Sequence, residues 1–229
     1  MLDKAQLYIY TSPNMIEFGQ TNEIKEWLGT GSVNFFSLPF GGKDSQADRF
    51  VERFGGKKFG GGAVLRMLEL DPVVKEMMDQ GELIPSEDFV RTVLPLLEDP
   101  ELDGEPIALT AVGRFIGEET GVMEVLERTG HPLRAVVHLE TDEPTTRERF
   151  RAHEAAKLAG LPEADRGHRI DDDERALDKR IHEYYTKTVP VIDVYRDMGV
   201  VIDVDATQPK DAVERDVLQK LAAHAARWF

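Results

Sequence analysis

The chain has 229 residues, 41% of them hydrophobic, and a formal net charge of −15, so it can build one sizeable core with room for a small inserted lobe, while its acidic excess argues against nucleic acid or an anionic membrane as partner. It has no cysteine, which excludes disulfides and thiolate zinc sites, and its six histidines (His131, His138, His153, His168, His182 and His224) are not spaced as ligands, so no structural zinc is expected. No apolar run approaches the roughly 20 residues of a membrane span, and Met1-Leu2-Asp3-Lys4 does not read as a secretory signal; a cytoplasmic protein is expected.

Residues 1–32 read as an extension ahead of a main domain over 33–229. Leu7–Tyr10 suggests a short strand, Ser12-Pro13-Asn14 a turn, and Thr21 the cap of a short helix that ends at Leu28 and stops at Gly29. The apolar residues of this extension imply that it packs on something. From Val33 onward strands and helices alternate. Val33–Leu38 reads as a buried strand and Lys43–Phe54 as a helix. Gly60-Gly61-Gly62 opens a helix through Leu65 and Met67, Asp71-Pro72 starts another that runs to Gly81, and Ser86 caps a third. Pro106–Ala111 is a core strand, Glu119–Arg128 a helix, Ala135–Glu140 a strand and Thr145–Leu158 a helix. After the polar loop 160–168, Asp171–Met198 reads as a long helix bent at Pro190, followed by strand Val200–Val204 and a closing helix Asp211–Trp228. Short apolar strands between helices predict an α/β fold, a parallel sheet covered on both faces. Ligands of such sheets bind at the carboxyl ends of the strands.

One such end carries Ser37-Leu38-Pro39-Phe40-Gly41-Gly42-Lys43-Asp44-Ser45-Gln46. Glycines let backbone N–H groups converge on a polyphosphate, and the following helix N-terminus adds partial positive charge. Lys43 supplies a full charge, and Ser45 would place its hydroxyl on a magnesium ion. Spacing alone also admits a plain glycine-rich strand–helix turn, because Ser37 replaces the usual opening glycine and Asp44 separates lysine from hydroxyl.

Further segments fall in an order that resembles the adenylate kinase family of nucleoside monophosphate kinases. The resemblance runs from about residue 33 to the end. It rests on Gly60-Gly61-Gly62-Ala63-Val64-Leu65-Arg66, on Met78-Asp79-Gln80-Gly81-Glu82-Leu83-Ile84, and on Thr110-Ala111-Val112-Gly113-Arg114. Its strongest part is Arg169-Ile170-Asp171-Asp172 with Lys179-Arg180, Tyr184, Thr188, Pro190 and Tyr195. The resemblance implies a P-loop core with a helical acceptor-binding lobe at about 60–90 and a short lid at about 153–170. It implies ATP, Mg²⁺ and a nucleoside monophosphate as ligands of a monomer or homodimer. Pro39, Gly41, Gly42, Lys43, Asp44, Ser45, Gln46 and Arg149 would then bind the donor phosphates. Gly61, Arg66, Leu83, Ile84, Arg114 and Glu118 would bind the acceptor. Lys43, Arg114, Arg169 and Arg180 would act on the transferring group, and Asp171 and Asp172 would help close the lid.

The chemistry accounts for the arginines independently. Phosphoryl transfer gathers several negative charges, and planar guanidinium groups bind phosphate oxygens bidentately and stay charged. Each arginine also has a plain structural reading: Arg66 as a solvated helix residue, Arg169 and Arg180 as partners of Asp171–Glu174 or Glu183, and one of Arg149 and Arg151 as mere surface. The sequence departs from the family at several points. Phe40 stands for a cradle glycine, and Thr110 for an aspartate associated with magnesium waters. Glu118 stands for a glutamine that reads adenine; a carboxylate suits guanine N1–H and N2–H₂ better, although Glu118 could simply start the next helix. A degenerate nucleotide-binding protein without catalysis, or a P-loop kinase for another small acceptor, are the alternative readings.

Overall fold

The computed structural model describes residues 13–161 and 173–228, with side chains from Thr21 onward. Five parallel strands form one sheet in the order β2-β3-β1-β4-β5. These are β1 (Ser32–Ser37), β2 (Lys57–Gly60), β3 (Ile107–Thr110), β4 (Leu133–Glu140) and β5 (Val201–Asp205). The central strand β1 pairs with β3 on one side (Val33 opposite Ala108) and β4 on the other (Val33 opposite Ala135). The chain moves outward to β2, returns to β3, and crosses β1 to reach β4. Such a reversal of direction beside β1 opens a crevice at the carboxyl ends of the strands.

Every residue of β1 is buried, which is why its run is apolar rather than alternating. Its side chains still divide by face. Val33 and Phe35 join Ala47, Phe50, Leu221 and Ala225 of α2 (Lys43–Phe54) and α10 (Lys210–Ala225) in one core. Phe36 and Leu38 join Leu177, Ile181, Val191 and Tyr195 on the other face. Full burial of each phenylalanine is worth roughly 1.5–3 kcal/mol. A third core gathers Phe59, Leu65, Phe89, Leu97 and Leu109 around the helices that follow β2. These are α3 (Gly61–Met67), α4 (Pro72–Asp79) and α5 (Ser86–Thr92). The remaining helices are α6 (Glu118–Arg128), α7 (Glu143–Leu158), α8 (Glu174–Glu183) and α9 (Val189–Asp197). Among the described residues no helix is long and apolar enough to cross a membrane.

Helix α1 (Pro13–Leu28) shows what the leading segment packs on. Ile24, Trp27 and Leu28 are buried in the same core as α10, and Trp27 meets the His224 ring edge-on at 5.6 Å. Thr21 lies inside this helix and does not cap it. The expected strand at Leu7–Tyr10 lies outside the described residues.

Three further expectations need correction. The edge strand β2 was not foreseen, because Lys57 and Lys58 are exposed and leave only Phe59 as an apolar signal. Ser86 is not a cap: its hydroxyl donates to Glu118 at 2.7 Å, and Pro85 occupies the cap position. The long helix is three pieces. Asp173 caps α8 by accepting from the Ala176 N–H, and a π-helical turn, Tyr184–Thr188, separates α8 from α9. Pro190, in the first turn of α9, has no N–H to give the preceding turn, and the wider π turn absorbs the mismatch.

Candidate active site

A cleft opens at the carboxyl ends of β1, β2 and β3. Its walls are the loop after β1, the start of α3, the 78–84 turn, the 110–118 loop and Arg180 of α8. The loop after β1 is shaped by its backbone. Gly41 has no room for a side chain: a Cβ there would lie 2.7 Å from Ser37 Cβ and 2.9 Å from the Leu38 carbonyl. Gly42 takes φ 99° and is the residue before α2, where no side chain caps the helix. The first N–H groups of α2 are thus open to an anion, with the helix dipole behind them. Phe40 takes φ 58°, a left-handed conformation for a bulky residue. Its ring packs edge-on against Phe150 of α7 at 5.4 Å and lies 5.5 Å from His153.

Lys43 and Asp44 both line the cleft and pair with each other at 2.9 Å. Lys43, opposing burial, and further bonds and charges from Lys58 and Thr110 lower the Asp44 carboxyl to about 2. Asp44 is therefore charged at any working pH. Ser45 is not among the residues lining the cleft. Gln46 departs from its expected phosphate role: it is buried, and its amide donates to the Lys210 carbonyl at 3.1 Å, which ties α2 to α10.

The 110–118 loop is shaped by side chains. Asn34, buried in the middle of β1, donates to the Val112 carbonyl at 2.8 Å and accepts from the Val112 N–H at 3.3 Å. One Glu118 oxygen accepts from the N–H groups of Arg114 (2.7 Å) and Phe115 (3.0 Å), and the other from Ser86. Glu118 lines the cleft, but its carboxylate is committed to holding the arginine loop. Arg114 reaches Thr188 through Nε at 3.2 Å. Burial, and to a lesser degree the neighbouring charge of Arg180, lower the Arg114 guanidinium to about 10, against the pull of Glu183 and Glu118. It remains charged at neutral pH. Two guanidinium groups that repel each other across a cleft gain when an anion enters between them.

Most of the expected site residues come together here. Lys43, Arg66, Arg114 and Arg180 line one cleft, along with Pro39, Gly61, Leu83 and Ile84. The 78–84 turn is docked on α8 at Gly81, whose φ is 81° and where a Cβ would lie 2.6 Å from the Ala176 carbonyl. Lys179 bridges to Glu82 at 3.0 Å beside it. Arg149 does not line the cleft. Its guanidinium donates to the Ala206 carbonyl at 2.6 Å and also reaches the Phe40 carbonyl, which straps the cradle to the loop after β5. Arg151 is exposed on α7. Arg169, Asp171 and Asp172, and most of the expected lid, lie outside the described residues. Sequence reading missed Asn34, although a lone amide in an apolar strand is a usable signal. It also missed a half-buried chain of side chains that joins β4, β5 and the π turn. His138 bonds Asp203 at 2.8 Å and Tyr184 at 2.7 Å. With Glu140 these side chains cluster as metal ligands can, but both His138 ring nitrogens are already engaged.

No family model matches the sequence. Individual relatives do. The chain is 30% identical over 202 residues to an adenylate kinase of Methylobacterium radiotolerans, covering 82% of this chain and 94% of that one. It is 29% identical over 206 residues to an adenylate kinase of Streptomyces coelicolor, with 80% and 94% covered. It is 27% identical over 205 residues to one from Archaeoglobus fulgidus, again with 80% and 94% covered. The parallel sheet, the glycine cradle at the end of β1 and the ordered cationic residues around the cleft agree with these matches: the chain belongs to the adenylate kinase family, as a divergent member.

Proposed function

We propose that the protein transfers the γ-phosphoryl group of ATP to a nucleoside monophosphate. The observation that carries this reading is the convergence of Lys43, Arg66, Arg114 and Arg180 on one cleft, in a chain whose net charge is −15. Four acidic residues line the same cleft, but Glu118 is spent on the 110–118 loop and Glu82 pairs with Lys179, so the cationic set suits the cleft to an anionic ligand. Two phosphate-bearing ligands facing each other need that many. The donor phosphates would lie on the backbone N–H groups of the cradle with Lys43 among them. The acceptor phosphate would lie between Arg66 and Arg114, with its base against the 78–84 turn and Phe89. Arg180, between the two, would stay with the transferring group.

Little covalent work is required. The attacking phosphate oxygen is already anionic near neutral pH, so positioning and charge neutralisation carry the reaction. A magnesium ion bound with ATP supplies further neutralisation, and the oxygen side chains beside the cradle, Asp44 and Thr110, suit such a hard cation. The segment 33–229 would form the kinase domain and 1–32 a leading extension.

A coupled assay of ADP release with AMP, GMP, CMP, UMP and dTMP tests the reading. Turnover with at least one of them is expected. Lys43→Ala should abolish transfer, whereas Arg114→Ala should chiefly weaken use of the acceptor. ATP binding without turnover on any of the five would instead select a nucleotide-binding protein that has lost catalysis.

A further inference from the structure

An arginine that clamps a phosphate needs more than its charge, because the planar guanidinium must present its terminal nitrogens to the oxygens in the right plane. Arg114 is held at two points. Glu118 accepts from its backbone N–H at 2.7 Å, and the Thr188 hydroxyl accepts from its Nε–H at 3.2 Å. The first bond fixes where the side chain starts, and the second fixes the plane in which it ends. Among the described residues no hydrogen bond engages the terminal nitrogens, and Arg114 lines the cleft.

Thr188 is buried and is the last residue of the π turn Tyr184–Thr188. In an uninterrupted α-helix the residue two turns on from Arg180, on the same face, would be Lys187. The π turn inserts one residue, and it is Thr188 that meets Arg114. Lys187 is turned to the Phe115 ring, 4.7 Å from its centre, and to the Glu183 carboxylate. The difference is chemical. An ammonium has donors only and repels a guanidinium, whereas a hydroxyl accepts from Nε–H. The turn is anchored at its other end, where the Tyr184 hydroxyl bonds His138 at 2.7 Å. Single π turns inside helices are frequent at functional sites.

We propose that Thr188 is a positioning residue for the acceptor: delivered by the π turn, its hydroxyl sets the plane of the Arg114 guanidinium so that both terminal nitrogens meet the acceptor phosphate. The assignment rests on the phosphotransferase reading above, in which that phosphate lies between Arg66 and Arg114. The turn that accommodates Pro190 thus also brings a hydroxyl to the arginine.

Titration calorimetry of the whole protein with ATP, and with AMP, GMP, CMP, UMP and dTMP in turn, tests the assignment. The wild type is expected to bind at least one of the five monophosphates. Thr188→Val keeps the branched shape of the side chain and removes the acceptor, so that Nε–H is unpaired and the guanidinium can turn. Affinity for that monophosphate should fall about tenfold, with ATP affinity within about twofold of wild type. Thr188→Ser keeps the hydroxyl and should hold the monophosphate affinity within about threefold of wild type. A packing role for Thr188 predicts the opposite order, because serine loses the methyl group that valine keeps. Should Thr188→Val not fold, Thr188→Ala beside Thr188→Ser isolates the hydroxyl in the same way. Wild-type monophosphate affinity without the hydroxyl, an equal loss of ATP affinity, or a greater loss in Thr188→Ser than in Thr188→Val overturns the assignment and leaves the phosphotransferase reading standing. Failure of the wild type to bind any of the five overturns that reading, and the assignment with it.

Discussion

The phosphate cradle and the 110–118 loop face each other across one cleft, yet they are held in shape by different means. The cradle is a backbone construction: Gly41 is needed for space, Gly42 for its φ of 99°, and Phe40 itself takes φ 58°. The opposite loop is built by side chains. Asn34 grips Val112 from inside β1, and Glu118 gathers the N–H groups of Arg114 and Phe115 together with the Ser86 hydroxyl. A backbone-built site concentrates its requirements in a few adjacent positions. A side-chain-built site spreads them over residues far apart in the chain.

The largest effect is expected where the backbone has no slack. Gly41→Ala puts a methyl group into the Ser37 side chain and the Leu38 carbonyl, so the cradle must move. Displacements of about 1 Å at such sites cost on the order of 100-fold in rate, and phosphoryl transfer followed by ADP release should fall by about that much. Gly42→Ala meets no atom within 4 Å and pays only conformational strain, about 1–2 kcal/mol, or roughly a tenfold loss. Equal effects of the two substitutions would contradict the distinction between space and torsion.

On the other wall, Glu118→Ala strands two backbone donors and the Ser86 hydroxyl. Each buried unpaired group costs about 1–3 kcal/mol, less where cleft water can replace the carboxylate. A loss of about 2–3 kcal/mol in denaturant melts is expected, with a rise in KM for the acceptor and little change in ATP affinity. If ATP affinity falls as much as acceptor affinity, the two walls are not independent.

A control lies away from both walls, at the seam of α1 and α10. His224 is buried there, and burial, then Arg227, hold its imidazole below the usual range. The unfolded chain therefore takes up a proton near the ordinary pKa of about 6.5 that the folded protein refuses. Stability should fall as pH drops from about 7 to 5, and His224→Gln should flatten that slope in thermal melts. The cradle carboxylate, ionised down to about 2, should contribute nothing in the same window.

The same contrast governs what was legible in the sequence. The cradle was readable because Gly41, Gly42 and Lys43 are adjacent and sit between an apolar run and a helix. Arg114 was readable because it follows the end of a core strand. The roles of Asn34 and Ser86 were not, because their partners lie 78 and 32 residues away; Glu118 bonds N–H groups only 3 and 4 residues back, but which side chain folds onto a loop is set by the loop's shape and not by its composition. Ser86 looked like a cap, which is what a serine ahead of a helix usually is. Strand β2 escaped because an edge strand with two exposed lysines lacks the apolar signature of its neighbours. The break between α8 and α9 was visible as Pro190, but the π turn that accommodates it depends on packing of Tyr184 and Thr188, both buried.

The smallest predicted effect bears most directly on whether the cradle is a backbone construction, and it concerns Phe40. Two contributions oppose each other there. The left-handed conformation costs a bulky residue about 1–2 kcal/mol. The edge-on ring contact with Phe150, at 5.4 Å, returns about 0.5–1.5 kcal/mol beyond the area it buries. Phe40→Gly removes both together with the ring's partial burial against the core, so a net loss of roughly 1–2 kcal/mol is expected. Phe40→Ala removes the ring and keeps the strain, so it should be the more destabilising of the two by about 1 kcal/mol. That order is the reverse of the usual one at an ordinary loop position, where alanine is the milder substitution. Finding alanine milder here would mean that residue 40 does not hold φ 58° in solution, and the account of the cradle as a shape dictated by backbone torsions would fail with it.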